Sequence, residues 1–106
     1  VTDDAHGVLQ DVHWSSGYFG YFPTYALGSI VASQIWEKTT IDIPDIYEQI
    51  SRGEFGVLRD WLKEHIHRYG RKFTPADTLS RVVGGPIDVG PFIRYLRAKF
   101  GEIYDL

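Results

Sequence analysis

Residues 7–36 read GVLQDVHWSSGYFGYFPTYALGSIVASQIW. This stretch begins with three hydrogen-bonding side chains, Gln10, Asp11 and His13. It then passes through a turn rich in glycine and tyrosine and continues into an almost uncharged helix. Between residues 8 and 36 the only ionisable groups besides the tyrosines are Asp11 and His13. We expect these polar groups to be buried or to line a cleft, where each needs a partner. The functional site is therefore predicted here.

The length and composition are those of one soluble globular domain. The chain has 106 residues, of which 43% are hydrophobic and 24% charged. A net charge of -3 gives no electrostatic signature for nucleic acid or for an anionic membrane. The absence of cysteine excludes disulfides and thiolate chemistry, and it is compatible with the cytoplasmic location that we expect. No apolar run approaches the roughly 20 residues of a membrane span.

The first long helix is predicted to begin at Pro23, which suits a first helical turn, and to run to about Glu37 or Lys38. The β-branched residues 39–43 are expected to end it. Small residues at i, i+4 spacing, such as Gly28 and Ala32, would let another backbone approach closely. A helix that is apolar nearly all round needs cover on all sides, more than the remaining residues obviously supply.

Three or four further helices are predicted downstream. A short one covers roughly 44–51, and a longer one carries an apolar stripe that ends at the C-cap Gly70. The stripe contains Phe55, Leu58, Trp61, Leu62, His65, Ile66 and Tyr69. Residues 8–14 alternate only weakly and are expected to form a loop or a brief strand.

Capping signals delimit the last two helices. Thr74 is a predicted N-cap, followed by a proline and by an acidic Asp77. The helix that it starts is predicted to end at Gly84. The final helix follows residues 88–91, with an apolar side composed of Phe92, Ile93, Leu96, Phe100 and Ile103. Four or five helices without a convincing sheet predict an all-α fold.

His13 is the sharpest candidate for chemistry. A nearby carboxylate or amide fixes an imidazole tautomer, and a fixed N–H donates to a developing oxyanion. Tyr21 and Tyr25 are neutral phenol donors suited to the same role. Spacing alone favours the plainer alternative, in which His13 and Asp11 form a structural hydrogen bond and the tyrosines belong to a core or interface. No metal site is predicted, because H-E-x-x-H is absent and neighbouring His65 and His67 face different ways.

These residues make the chain resemble the thermostable, Taq-type metallocarboxypeptidases. The pattern G-x-x-Q-D-x-H-W is present as Gly7, Gln10, Asp11, His13 and Trp14. The resemblance continues through GYFGYFPTYALG (residues 17–28), YGRKFTPADTLSRVVGG (69–85) and the closing FIRYLRAKFGEIYDL (92–106). It therefore covers essentially the whole chain.

The resemblance implies an all-helical enzyme of about 500 residues, larger than a usual domain, with a deep cleft. Such enzymes are generally homodimers that remove C-terminal residues from peptides. Their zinc, or another divalent metal, is held by two histidines of an H-E-x-x-H helix and a downstream glutamate. That helix is missing here. Residues 1–106 are thus expected to be a single helical C-terminal segment that alone binds no catalytic zinc and has no peptidase activity.

Within the whole enzyme, the resemblance gives the candidate residues their roles. His13 and one of Tyr21 or Tyr25 are expected to donate to the oxyanion, while Gln10 and Asp11 orient His13 or the substrate. The competing interpretation is a non-enzymatic helical domain whose aromatic surface is an interaction or oligomerisation site. The isolated segment is expected to self-associate through the same surface.

Overall fold

The computed structural model describes residues 1–105, and every regular element in that range is helical. The α-helices are α1 (Val12–Ser15), α2 (Pro23–Asp42), α3 (Ile46–Ser51), α4 (Gly56–His65), α5 (Pro75–Val83) and α6 (Gly90–Tyr104). Two short 3-10 turns lie at Val8–Gln10 and His67–Tyr69. The predicted all-α class is confirmed.

Helix α2 is longer than its sequence predicts. The β-branched residues do not end it at Glu37 or Lys38, and the helix continues to Asp42. Thr39 is 1% exposed, and its hydroxyl donates to the carbonyl of Ile35 at 2.8 Å. Burial and this hydrogen bond outweigh the small helix propensity penalty of a threonine.

Helix α4 is shorter than predicted. The apolar stripe predicted a helix reaching Tyr69, but the helix ends at His65 and Ile66 breaks it with φ -127° and ψ -63°. Gly70 then closes the following turn with φ 54°, a conformation that glycine adopts readily. At this break Ile66 is partly buried and packs against the core, a tertiary contact that periodicity alone does not reveal.

The predicted signals around α5 are confirmed. Thr74 caps the helix and its hydroxyl accepts a hydrogen bond from the backbone N–H of Asp77 at 3.2 Å. Gly84 ends the helix in the left-handed conformation with φ 82°. The buried core lies between α5 and the preceding helices. Its members are Ile43, Ile46, Trp61 and Val82, with Ile35, Trp36, Ile50, Leu58, Leu62, Ile66 and Val83 packed around them.

Two long-range polar contacts dock α6 against α2. The buried Gln34 donates to the carbonyl of Pro86 and accepts from the N–H of Asp88, both at 2.9 Å. Arg94 makes two 2.8 Å hydrogen bonds to Glu37. These contacts fix the loop before α6 and the first turn of that helix.

The rest of α6 is less covered than predicted. Three of its apolar residues, which the sequence predicts to face inward, are exposed in this chain: Ile93, Phe100 and Ile103 are 39%, 38% and 58% exposed. The contacts with α2 are made near the N-terminal end of α6, through Pro91 and Arg94. The C-terminal half therefore carries an apolar side that faces solvent.

Across residues 1–105, no helix combines the length and apolar character needed to cross a membrane.

Candidate functional site

The candidate residues lie on a run of short turns that leads into α2. The expectation of a loop or strand over residues 8–14 is wrong, because this segment forms a 3-10 turn followed by the one-turn helix α1. Asp11 is the N-cap of α1, and its Oδ1 accepts from the backbone N–H of His13 at 2.9 Å. A capping side chain satisfies one of the unpaired donors at a helix start. Local capping thus decides the conformation here.

The same carboxylate oxygen also holds the imidazole of His13. Nδ1 of His13 lies 2.8 Å from Oδ1 of Asp11, and both side chains are 34% exposed. The backbone and side-chain hydrogen bonds from His13 lower the pKa of Asp11. The pair is half-buried in this chain, which is less burial than the surrounding apolar sequence predicts.

This geometry decides what Nε2 of His13 offers to a ligand. An Nδ1–H that faces a carboxylate leaves the other ring nitrogen as a lone-pair acceptor while the ring is neutral. Nε2 becomes a donor only when the ring is protonated. With this tautomer the neutral ring of His13 presents an acceptor at Nε2, and the protonated ring presents a donor there.

Tyr21 covers one face of this imidazole. The two rings are stacked with centroids 5.0 Å apart and an interplanar angle of 19°. The hydroxyl of Tyr25 donates to the hydroxyl of Tyr21 at 3.3 Å, and this hydrogen bond raises the pKa of Tyr25. Because Tyr21 accepts this bond, its own hydroxyl proton is left for a further acceptor. In the hydrogen bond between the two predicted tyrosines, Tyr25 is thus the donor and Tyr21 the acceptor.

Gln10 does not join this group. Its side-chain amide donates to the carbonyl of Ala5 at 2.6 Å, and the residue is exposed. The side chain of Gln10 therefore bonds to the N-terminal turn, and the hydrogen bonds described for His13 are to Asp11 instead. The structure brings together Asp11, His13, Tyr21 and Tyr25, and it leaves the fifth predicted residue outside.

One residue of the group was missed by the sequence reasoning. The ring of Phe22 meets His13 edge-on, with centroids 4.8 Å apart and an interplanar angle of 62°. The contact crosses the turn between α1 and α2. A spacing of this kind carries no helical or strand periodicity, so the sequence offered no signal for it.

Metals in proteins are bound by clusters of side chains such as His, Cys, Asp and Glu. Residues 1–105 contain no group of three or more His, Cys, Asp or Glu side chains that could bind one. His65 stacks on Trp61 at 4.3 Å, and its Nδ1 lies 2.9 Å from the carbonyl oxygen of the same residue. The side chains described here therefore do not fit a catalytic metal.

Comparisons with known proteins identify sequence relatives over nearly the whole chain. Residues 1–100 match the profile described as carboxypeptidase Taq (M32) metallopeptidase. The chain is 42% identical over 101 residues to carboxypeptidase 1 of Bacillus subtilis, covering 95% of this chain and 20% of that protein. It is 38% identical over 96 residues to thermostable carboxypeptidase 1 of Pyrococcus furiosus, covering 91% of this chain and 19% of that protein. The chain thus spans about a fifth of the length of these relatives.

Solved structures are also similar to this chain over most of its length. The M32 carboxypeptidase of Deinococcus radiodurans R1 superposes with a TM-score of 0.88 at 34% identity, over 100% of this chain and 22% of that one. A structure of the Pyrococcus furiosus carboxypeptidase gives 0.82 at 38% identity, over 88% and 19%. The backbone described above is therefore similar to one part of these larger proteins.

Proposed function

The chain belongs to the carboxypeptidase Taq (M32) metallopeptidase family, and from this premise we propose that it is the C-terminal segment of a metal-dependent carboxypeptidase. Its substrate is a peptide with a free C-terminus. The segment supplies groups that bind the substrate and stabilise the transition state. The metal, which we propose to be zinc, is held by residues outside this segment, because residues 1–105 offer no ligand cluster. We further propose a cytoplasmic homodimer.

The observation that carries the proposal is the convergence of Asp11, His13, Tyr21 and Tyr25. Cleavage of a peptide bond places negative charge on the former carbonyl oxygen, and donors aimed at that oxygen lower the barrier. A phenol is a neutral donor, and an imidazolium is a charged one. Tyr21 and His13 offer these two kinds of donor from stacked rings 5.0 Å apart. The proximity of these two donors is what supports a role in stabilising an anionic intermediate.

The hydrogen-bond direction favours Tyr21 over Tyr25 as the donor. The hydroxyl of Tyr25 donates its hydrogen bond to Tyr21. A hydroxyl that accepts a hydrogen bond becomes a stronger donor itself. Tyr25 accordingly acts on the substrate only through Tyr21. Asp11 holds the ring of His13 through Nδ1.

The kinetic test uses the full-length enzyme that carries this segment. Tyr21→Phe should lower kcat by about 10²–10³, the typical cost of one lost oxyanion donor, and His13→Ala should lower it at least as much. Tyr25→Phe should cost less, because it leaves the Tyr21 proton in place. Tyr104→Phe, on an exposed residue of α6, is the matched control and should be neutral. Near-normal turnover in both Tyr21→Phe and His13→Ala would remove the site from the mechanism.

The isolated chain provides a second test. We expect no release of C-terminal residues from a peptide by the 106-residue polypeptide, with or without added zinc. Calorimetric titration with zinc should detect no stoichiometric binding. Chelator-sensitive activity from this polypeptide alone would contradict the proposed division of the site.

A second candidate function rests on the exposed aromatic residues. Trp14, Tyr18 and Leu27 are 62%, 59% and 50% exposed, and apolar patches of this kind mark interaction surfaces. In this alternative the segment is a helical interaction domain without enzymatic activity. Sedimentation of the isolated chain should then show concentration-dependent association that Leu27→Asp weakens. A carboxypeptidase activity lost in Tyr21→Phe would decide against this alternative.

A further inference from the structure

We propose that Phe22 is a positioning residue for His13, an inference that rests on the proposed function. Three side chains that contact His13 each restrict a different movement of its ring. Asp11 tethers Nδ1 at 2.8 Å, but a single hydrogen bond leaves the ring free to tilt about the bond axis. Tyr21 covers one face of the ring. The edge contact with Phe22 supplies the remaining constraint.

The geometry of the Phe22 contact is specific. Aromatic rings prefer edge-to-face arrangements with centroids 4.5–7 Å apart, and the 4.8 Å separation at 62° lies at the close end of that range. Phe22 also meets Tyr21 at 6.0 Å and 73° and Tyr25 at 6.2 Å and 29°. The Phe22 ring therefore packs against three of the four residues of the proposed site, His13, Tyr21 and Tyr25.

The backbone holds Phe22 in the required place. A residue before proline is biased toward an extended conformation, and Thr74 before Pro75 is extended with ψ 159°. Phe22 before Pro23 is instead helical, with φ -62° and ψ -33°. Its carbonyl accepts from the N–H of Tyr25 at 3.0 Å. The turn that begins α2 thus directs the Phe22 ring back over α1.

This placement has a chemical consequence. Contacts with Asp11, Tyr21 and Phe22 restrict the ring of His13, and Nδ1 is the ring nitrogen that Asp11 engages. An oxyanion donor must be held close to its productive geometry, because a loosely held group loses its catalytic advantage. Phe22 touches no reacting atom, and its effect passes through His13.

The kinetic test is a set of substitutions in the full-length enzyme. Phe22→Leu removes the aromatic edge and keeps an apolar side chain, so kcat should fall about two- to tenfold with KM little changed. Phe22→Tyr restores the edge and should recover most of the lost turnover. Phe19→Leu is the matched control: Phe19 contacts Trp14 at 6.0 Å and is 75% exposed. Its turnover should be unchanged.

The spectroscopic test uses the 106-residue chain and does not depend on activity. Proton NMR should show ring-current shifts of the His13 imidazole protons that change in Phe22→Leu, return in Phe22→Tyr and persist in Phe19→Leu. Wild-type turnover together with unaltered His13 signals in Phe22→Leu would overturn the proposal. Equal losses in Phe22→Leu and Phe22→Tyr would also overturn it. A full-length enzyme without peptidase activity, but with the expected His13 shifts, would refute the proposed function and leave the Phe22 contact established.

Discussion

Oδ1 of Asp11 accepts two hydrogen bonds from His13, one from the backbone N–H at 2.9 Å and one from Nδ1 at 2.8 Å. One oxygen atom therefore caps helix α1 and orients the imidazole. The start of the helix and the direction of the ring are set by the same contact. A change at Asp11 alters both.

Acidification should release the His13 ring. The hydrogen bonds from His13 hold the pKa of Asp11 below its ordinary value of 3.8, so the contact is fully present above pH 3.8 and is lost as the pH falls through the lower, folded-state pKa. His13 ring signals in NMR spectra should therefore move toward those of a free histidine in this acidic range. Asp11→Asn should remove the transition, since an amide does not titrate. A transition that persists in Asp11→Asn would assign it to another group.

The two tyrosines of the site should titrate differently. The hydrogen bond that Tyr25 donates to Tyr21 raises the pKa of Tyr25 above its ordinary value of 10.0. Tyr21→Phe removes the acceptor, so Tyr25 should ionise at lower pH than in the wild type. Tyrosinate absorbance during alkaline titration measures this change. Tyr47 is remote from the pair, so Tyr47→Phe should leave the raised pKa of Tyr25 unchanged.

Gln34→Leu should destabilise the chain more than a substitution at a surface glutamine does. The side chain of Gln34 is 7% exposed and bonds both the carbonyl of Pro86 and the N–H of Asp88. Leucine leaves both backbone groups without this partner, at a cost of about 1–3 kcal/mol in the free energy of unfolding. Gln49→Leu is the control, because Gln49 bonds Asp45 on the exposed surface. Urea unfolding should show a change of at most about 0.5 kcal/mol for that variant.

Substitution by alanine should have opposite effects on thermal stability at the two adjacent glycines after α5. Gly84 has φ 82°, a left-handed conformation that costs a residue with a Cβ about 1–2 kcal/mol. Gly84→Ala should therefore lower the melting temperature. Gly85 lacks a positive φ, and a Cβ there would meet nothing within 4 Å. Gly85→Ala should leave the melting temperature unchanged or raise it slightly, because alanine restricts the unfolded chain. Equal losses in the two variants would contradict this account.

Local chemistry made several features predictable from the sequence. The capping signals of Thr74 and Gly84 act within one turn, so the residues alone identify them. The all-helical class follows from apolar spacing in the same way. The pairing of Asp11 with His13 was also anticipated, since the two residues are only two positions apart.

Features that depend on tertiary contacts were not predictable. Helix α2 continues through Thr39, which is buried, and α4 ends at His65, next to Ile66, which packs against the core. Burial of either residue depends on partners distant in the chain. The burial expected around His13 was overestimated, since this chain leaves its neighbouring aromatic residues largely exposed.

The sequence by itself determined the helical class, the helix starts and stops that capping residues define, and the set of polar side chains gathered before α2. Only the tertiary structure decided that Gln10 turns away toward Ala5 and that Phe22 meets His13. The physical reason is the range of the interactions. A cap or a periodic stripe is encoded within a few residues, whereas ring contacts across a turn depend on backbone angles that many sequences share.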